Sequence, residues 1–178
     1  LRRFLKGDDR LAEAAVQRIC GSPDLYPPEQ RENASVNFLT CHDGFTLYDL
    51  YAYNEKHNER NGWDNTDGAN DNNSWNCGAE GETDDPRSMP CAAACAKMRL
   101  LCCCAAAVQR CSSRGRVWQH AVRQQQSLLS GYEISWLDWS LLDENQDMFE
   151  FFRYMIAFRM AHPAIRKDLE PAISDSRP

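Results

Sequence analysis

A histidine and an aspartate follow the segment of the chain with the clearest strand character. Residues 35–41 alternate and carry strand-forming side chains, so we predict a short buried strand there. His42, Asp43 and Gly44 come directly after it. A carboxylate at such a position can stabilise a developing positive charge or accept hydrogen bonds from hydroxyl groups. On these residues alone, the simpler interpretations are a turn or capping carboxylate for Asp43 and a hydrogen-bonded buried imidazole for His42.

A long polar loop is predicted over residues 58–85. Seven asparagines lie between Asn58 and Asn76, together with Trp63 and Trp75. Aromatic rings stack on sugar faces and amide side chains both donate and accept hydrogen bonds, so this composition suits a carbohydrate surface. A plain surface loop explains the same composition equally well.

A helix is predicted to follow the His-Asp-Gly segment. Thr46, with Asp49 three residues later, resembles a capping box at its start. The apolar side chains that share one face of this helix are Leu47, Leu50 and Tyr51. A strand, a polar turn and a helix in succession are the unit of an α/β fold.

Two further helices are predicted, one on each side of this unit. Residues 9–20 have apolar side chains at helical spacing, and Gly21 can end that helix. Residues 143–162 form an amphipathic helix with Asp143 as its N-cap, and Pro163 prevents its continuation. The apolar face of this last helix is predicted to consist of Phe149, Phe152, Ile156 and Met160.

The composition is that of a single globular domain. The 178 residues are 43% hydrophobic and 26% charged, and the net charge of -6 argues against nucleic acid or anionic membrane as the main partner. A neutral polymer is compatible with this charge. No run of 18 apolar residues predicts a transmembrane helix. The first residues lack an initiator Met and an apolar signal core, so we expect the chain to be a piece of a longer protein.

The cysteines are unevenly distributed. Six of the nine lie in residues 86–132, three of them adjacent, which fits neither the paired spacing of zinc knuckles nor a regular disulfide framework. We therefore predict no bound metal, with a Cys-rich metal protein as an alternative. The same 47 residues contain no Asp or Glu, although the rest of the chain would predict about nine.

Translation in a shifted reading frame is the explanation we favour for residues 87–132. Codons permitted for residues 116–125 regroup in another frame into a coherent peptide, Asp-Glu-Phe-Gly-Asn-Thr-Gln-Ser-Gly-Asn. A basic low-complexity linker is a further alternative. We predict frameshifts near residues 87 and 132, with a poorly ordered segment between them.

Residues 37–47 resemble the fourth signature region of the α-amylase superfamily (glycoside hydrolase family 13), in the form found in bacterial glycogen-debranching enzymes and isoamylases. They read NFLTCHDGFTL. The shifted-frame peptide resembles the family segment that joins the blocks matching residues 74–78 and 133–139. Similar blocks continue through residues 49–50, 53–54, 56–58, 61–62, 67–68, 74–78, 133–139, 159 and 161–163.

The resemblance implies an α/β fold, namely the C-terminal strand–helix units of an incomplete (β/α)8 TIM barrel. Residues 1–86 would be a partial catalytic barrel and residues 133–178 its end. It also implies a cytoplasmic enzyme that hydrolyses α-1,6 branch linkages of glycogen or limit dextrins with retention of configuration. The sequence gives no sign of a cofactor or metal requirement, and the oligomeric state is open.

The resemblance assigns roles to individual residues. Asp43 matches the carboxylate that stabilises the transition state, and His42 matches a hydrogen-bond donor to the same sugar. No residue matches the family's nucleophile or general acid, so we expect the chain alone to be inactive. The residues expected to bind substrate are Tyr53, Asn54, Asn61, Trp63 and Trp75.

Other functions remain open on the sequence. Another α-glucan hydrolase or transglycosylase of the superfamily would share these motifs. A non-catalytic glucan-binding remnant would use Trp63, Trp75 and His42, and would bind glucan without cleaving it.

Overall fold

The computed structural model describes residues 1–27, 36–38, 40, 44–59, 63–103, 108–110 and 136–166. Its elements in chain order are α1 Arg2–Lys6, α2 Ala12–Ile19, β1 Val36–Phe38, α3 Asp49–Ala52, α4 Ser88–Cys103, β2 Val108–Arg110, α5 Leu141–Glu144 and α6 Gln146–Ala161. A 3-10 turn, Pro163–Arg166, follows helix α6. Within these ranges, no helix has the length and apolar character needed to cross a membrane.

Strands β1 and β2 form a parallel pair. Val36 is paired with Val108 and Phe38 with Arg110. Parallel strands require a long crossover connection, and helices α3 and α4 lie between these two strands in the chain. Strand β1 falls within the predicted strand 35–41, of which residues 35, 39 and 41 lie outside the described residues. The described elements are mixed helix and strand, and an incomplete barrel stays a prediction.

The predicted pairing of Thr46 with Asp49 forms, but helix α3 spans only Asp49–Ala52 and its N-cap is Tyr48 rather than Thr46. The Thr46 hydroxyl donates a hydrogen bond of 2.8 Å to the Asp49 carboxylate and accepts one of 3.2 Å from the Asp49 backbone N–H. Residues Thr46 and Asp49 are both buried, so these bonds satisfy polar groups that water cannot reach. The predicted apolar side chains Leu47, Leu50 and Tyr51 are 0%, 0% and 2% exposed.

The apolar core lies where helix α4 packs against helices α3 and α6. Helix α4 contributes Ala92 and Ala96, which are buried, and such small side chains allow helices to approach closely. Helix α6 contributes Met148 and Phe152. Most of the buried aromatic surface comes from residues 45–53, so the segment after Gly44 is part of the core rather than a surface connection.

Helix α2 is shorter than predicted. It spans Ala12–Ile19 instead of residues 9–20 because Arg10 has a φ of 59°, which lies in the left-handed region and interrupts a right-handed helix. The predicted end is confirmed, since Gly21 adopts a φ of 86° directly after the helix.

The predicted helix 143–162 is interrupted. Asp143 lies inside helix α5, and the N-cap of helix α6 is Asn145, whose backbone departs from helical geometry. The prediction of Asp143 as the N-cap was therefore wrong. The predicted end is confirmed, because helix α6 stops at Ala161, two residues before Pro163.

The predicted apolar face of helix α6 was also partly wrong. The buried residues are Met148, Phe152 and Met155, whereas Ile156 and Met160 are 49% and 65% exposed. Apolar side chains occur nearly all round this helix, so periodicity alone does not select which stripe faces the core. Contact with helix α4 selects it.

Candidate functional site

The predicted catalytic residues are next to described residues in the chain. His42 and Asp43 lie outside the described residues, as does Asn61. The residues on either side of the pair are described: Thr40 is 1% exposed, and Gly44 leads into the core segment.

An open cavity of about 480 Å³ lies beside Gly44. Residues of strand β1 form one wall, and two loop residues, Ala69 and Asn72, form part of another. Arg2 and Arg18 also line the cavity. The Arg2 guanidinium donates a hydrogen bond of 3.2 Å to the Asn72 carbonyl, and Arg18 forms an ion pair with Asp24. The cavity therefore combines apolar surface with hydrogen-bond donors.

Asn72 joins the long loop to the backbone after Gly44. Its side chain is buried, accepts a hydrogen bond of 3.3 Å from the Phe45 N–H and donates one of 2.7 Å to the Ala69 carbonyl. Gly44 has a φ of 76°, and a Cβ added there would lie 2.5 Å from the Asn72 Oδ1 atom. Only glycine fits this site without movement. The sequence did not identify Asn72, because its partner lies 27 residues away.

Asparagine side chains brace the loop from within. The Asn65 amide accepts a hydrogen bond of 2.9 Å from the Asn58 N–H and donates one of 3.1 Å to the Lys56 carbonyl. The Lys56 ammonium group donates to the carbonyls of Asp67 and Gly68, at 2.9 and 3.1 Å. These contacts give several of the loop asparagines a structural role.

Glu80 is the centre of a second network in the loop. Its carboxylate accepts hydrogen bonds of 2.9 Å from the Asn54 N–H and from the Asn76 amide, and the His57 ring lies 3.4 Å away. Partial burial opposes ionisation, but these donors outweigh it and lower the pKa of Glu80 below its usual value. The sequence did not identify Glu80, since the backbone N–H of Asn54 and the ring of His57 lie 26 and 23 residues earlier and only Asn76 is near it in the chain.

We expect the Glu80 carboxylate to stabilise the loop in a pH-dependent way. Because its pKa is lowered by folding, the stabilisation is complete above its unfolded value of 4.5 and is lost as the pH falls through the folded value. Glu80→Gln is expected to lower the free energy of unfolding at neutral pH by about 1 kcal/mol, a figure that allows for solvent screening.

Urea denaturation across the acidic range measures this difference. The gap between Glu80→Gln and the parent chain should close below pH 4.5. Glu13→Gln, a change at an exposed residue of helix α2, should shift stability by less than about 0.5 kcal/mol. A gap that is equal at all pH values would contradict the role given to the Glu80 carboxylate.

Two of the predicted substrate-binding residues are structural in this arrangement. Tyr53 is 8% exposed and its ring centroid lies 5.1 Å from that of His57. The Asn54 side-chain oxygen accepts a hydrogen bond of 3.1 Å from the Asn76 N–H, and its carbonyl accepts one from the Ser74 hydroxyl. Both residues hold the loop in place.

The two tryptophans that are predicted to bind substrate are exposed. Trp63 is 65% exposed and lies in a turn closed by a hydrogen bond from the Thr66 N–H to its carbonyl. Trp75 is 40% exposed, and its backbone N–H donates a hydrogen bond of 3.0 Å to the Leu50 carbonyl of helix α3. Trp75 is thereby anchored to the core while its ring reaches solvent.

Three cysteines meet beside helix α4. The sulfur atoms of Cys77, Cys91 and Cys95 all lie within 4.8 Å of one another. Burial raises the pKa of the Cys77 thiol, and the neighbouring thiols of Cys91 and Cys95 raise it further. No pattern in the sequence distinguishes Cys77, because it lies outside the cysteine-rich residues 86–132. The available signal was the spacing of Cys91 and Cys95, one helical turn apart.

Known proteins resemble this chain over nearly its whole length. A glycogen operon protein GlgX homolog of Mycobacterium tuberculosis is 37% identical over 171 residues, which are 94% of this chain and 23% of that protein. Isoamylase 3, chloroplastic, of Oryza sativa is 38% identical over 94% of this chain and 22% of its own length. Isoamylase SU1, chloroplastic, of Zea mays is 54% identical over 83 residues, 46% of this chain and 10% of its own. No family model matches the chain. The chain spans about a quarter of the length of the first two relatives.

Proposed function

We infer that this chain, which belongs to the family of GlgX homologues and isoamylases, forms part of an enzyme that hydrolyses α-1,6 branch linkages in glycogen or limit dextrins. The observation that carries the proposal is the 37% identity over 94% of the chain to a GlgX homologue. The chain covers 23% of that protein, so the activity is proposed for the whole protein rather than for these residues alone.

In this proposal Asp43 stabilises the transition state. A retaining glycosidase uses one carboxylate as nucleophile and a second as general acid, and it passes through a state resembling an oxocarbenium ion. A third carboxylate beside the sugar ring can stabilise that cation and bind its hydroxyl groups. The neighbouring Gly44 lines the 480 Å³ cavity, which supports a position for Asp43 beside bound sugar. His42 would donate a hydrogen bond to the same sugar.

We propose that strand β1 belongs to an eight-stranded barrel of the TIM type. Active sites of such barrels lie at the carboxyl ends of the strands, and Asp43 comes five residues after the end of strand β1 in the chain. Residues 1–86 and 133–178 would supply barrel units. The order of strand β1, the His-Asp-Gly segment and helix α3 in the chain supports this assignment for residues 1–86.

The exposed tryptophans are proposed to bind the glucan. Flat indole rings provide stacking surfaces for sugar faces, and Trp63 and Trp75 are both open to solvent. Tyr53 and Asn54 would act indirectly, by holding the loop that carries Trp75, and Asn61 would add a polar contact.

The exposed tryptophans also support a second candidate function, non-catalytic glucan binding. Under this alternative the chain binds branched glucan without cleaving it, and Trp63→Ala or Trp75→Ala abolishes binding. A different α-glucan hydrolase or transglycosylase of the superfamily is the runner-up among enzymes. We propose a cytoplasmic location, although the two plant relatives are chloroplastic by name.

A chimeric enzyme tests the proposed function. Residues 1–86 of this chain replace the aligned segment of a full-length GlgX homologue, and the release of linear chains from glycogen is measured. The chimera is expected to hydrolyse glycogen, and Asp43→Asn is expected to lower kcat by about 10²–10³-fold with a smaller change in KM, because the charge acts in the transition state.

Asp64→Asn is the matched control, since it neutralises an exposed loop carboxylate and should change kcat by no more than about twofold. Full turnover by the Asp43→Asn chimera would overturn the role of Asp43. A folded chimera that binds glycogen but never cleaves it would favour the binding alternative.

The origin of residues 87–132 is a separate proposal. We propose that this segment is translated out of frame, and helix α4 is compatible with that origin because alanine-rich sequences form helices readily. Sequencing the coding DNA and comparing it with that of relatives tests this proposal. One inserted or deleted base near codon 87 and one near codon 132 are expected. The absence of both changes would refute the proposal.

A further inference from the structure

Three thiols from two separate parts of the chain converge on one point. Cys77 comes from the long loop, whereas Cys91 and Cys95 lie one turn apart on helix α4 and so share a face. Every pair of their sulfur atoms is within 4.8 Å. Sulfur atoms bound to one tetrahedral zinc ion lie about 3.8 Å apart, since each Zn–S bond is about 2.3 Å. Small side-chain rotations would therefore bring the three sulfurs to bonding distance.

We propose that Cys77, Cys91 and Cys95 bind one thiophilic divalent cation, of which Zn²⁺ is the first candidate, with a fourth position left to water. Each thiol gives its proton to the solvent as its sulfur forms a bond to the metal. Thiolate sulfur selects zinc and similar soft ions over Mg²⁺ or Ca²⁺, which prefer oxygen ligands. This site is independent of the proposed glycosidase activity, and it concerns the chain as translated, in which residues 87–103 include helix α4 whatever the origin of that segment.

The backbone around the cluster is held in place before any ion binds. The Tyr51 hydroxyl donates a hydrogen bond of 3.3 Å to the Cys95 carbonyl. The Ser88 hydroxyl lies between two acceptors, the Asp85 carboxylate at 2.9 Å and the Cys77 carbonyl at 3.3 Å. Cys77 and Cys95 also pack against the apolar core. Rigid surroundings reduce the ordering that metal binding requires.

The backbone of Cys77 adopts a conformation that its side chain does not favour. Its φ is 53°, in the left-handed region, where a residue with a Cβ is strained. In that conformation its sulfur lies beside helix α4. A metal bond from Cys77 to helix α4 would lock the loop that carries Glu80 and Trp75 onto the helix.

The test uses the full chain with Cys41, Cys102, Cys103, Cys104 and Cys111 replaced by Ser, so that the cluster and Cys20 are the remaining thiols. Reduced protein is titrated with Cd²⁺ while the thiolate-to-metal charge-transfer absorption is followed, and affinity is measured by competition with a chelator. One ion per chain is expected.

Single substitutions then assign the ligands. Cys77→Ser, Cys91→Ser and Cys95→Ser are each expected to weaken Cd²⁺ binding by at least about 100-fold, because even the loss of outer-shell partners costs metal sites 10–100-fold. Cys20→Ser, which removes a half-buried thiol at the end of helix α2, should leave the affinity unchanged.

X-ray absorption of the zinc-loaded chain gives a readout that does not depend on how the variants fold. Three sulfur neighbours at about 2.3 Å are expected. One or two sulfur neighbours, no stoichiometric binding by the reduced chain, or equal weakening by Cys20→Ser would each overturn the proposal. So would a disulfide within the cluster that persists in reductant.

Discussion

Replacing Gly44 by alanine is expected to lower the free energy of unfolding by about 2–5 kcal/mol. Two effects combine: a residue with a Cβ is strained by about 1–2 kcal/mol at a φ of 76°, and the new Cβ lies 2.5 Å from the Asn72 Oδ1 atom. Asn72 cannot yield cheaply, because its buried amide would lose its bonds to Phe45 and Ala69 at about 1–3 kcal/mol.

Gly7→Ala is the matched control for this prediction. Gly7 also has a positive φ, 98°, but nothing lies within 4 Å of an added Cβ. It should therefore show the backbone strain alone, about 1–2 kcal/mol. Urea denaturation followed by circular dichroism measures both variants. Equal destabilisation by Gly44→Ala and Gly7→Ala would show that the contact between Gly44 and Asn72 is not closely packed.

Because Gly44 directly follows Asp43, the same substitution bears on the proposed active site. Moving Asn72 would release the Phe45 N–H and shift the backbone that leads out of the His-Asp-Gly segment. Small displacements of positioning groups reduce turnover strongly. In the chimeric enzyme we therefore expect a large fall in kcat for Gly44→Ala and little change for Gly7→Ala.

Phe152→Ala is expected to lower the free energy of unfolding by about 3–5 kcal/mol. The side chain is 4% exposed and belongs to the core cluster between helices α4 and α6, so its removal loses apolar burial and leaves a cavity. Met160, on the same helix and in the same predicted apolar stripe, is 65% exposed. Met160→Ala should therefore change stability by less than about 0.5 kcal/mol.

The two variants distinguish two orientations of helix α6. A stripe running through Phe152, Ile156 and Met160 would make Met160→Ala strongly destabilising as well. The observed stripe of Met148, Phe152 and Met155 predicts that only Phe152→Ala has a large effect. Chemical denaturation of the two variants beside the parent chain gives the comparison, and comparable losses would refute the observed orientation.

Local features of this chain were predictable from the sequence because the interacting groups are neighbours in it. Thr46 and Asp49 are three residues apart, and their predicted hydrogen bonds form at the beginning of the segment that contains helix α3. Gly21 ends helix α2 and Pro163 follows the end of helix α6 for reasons that lie within a few residues of each. The resemblance of residues 37–47 to a glucan-hydrolase signature also lay in consecutive residues.

The tertiary structure decided what depends on residues far apart in the chain. The buried stripe of helix α6, the requirement for glycine at position 44 and the meeting of Cys77 with Cys91 and Cys95 each come from a partner supplied by another element. The asparagine-rich loop is a further case: its composition suited either sugar binding or a plain surface, and the fold assigned several amides to its own backbone. Periodicity and composition do not show which distant residue will pack against a given side chain, because these contacts form only when the helices and strands assemble.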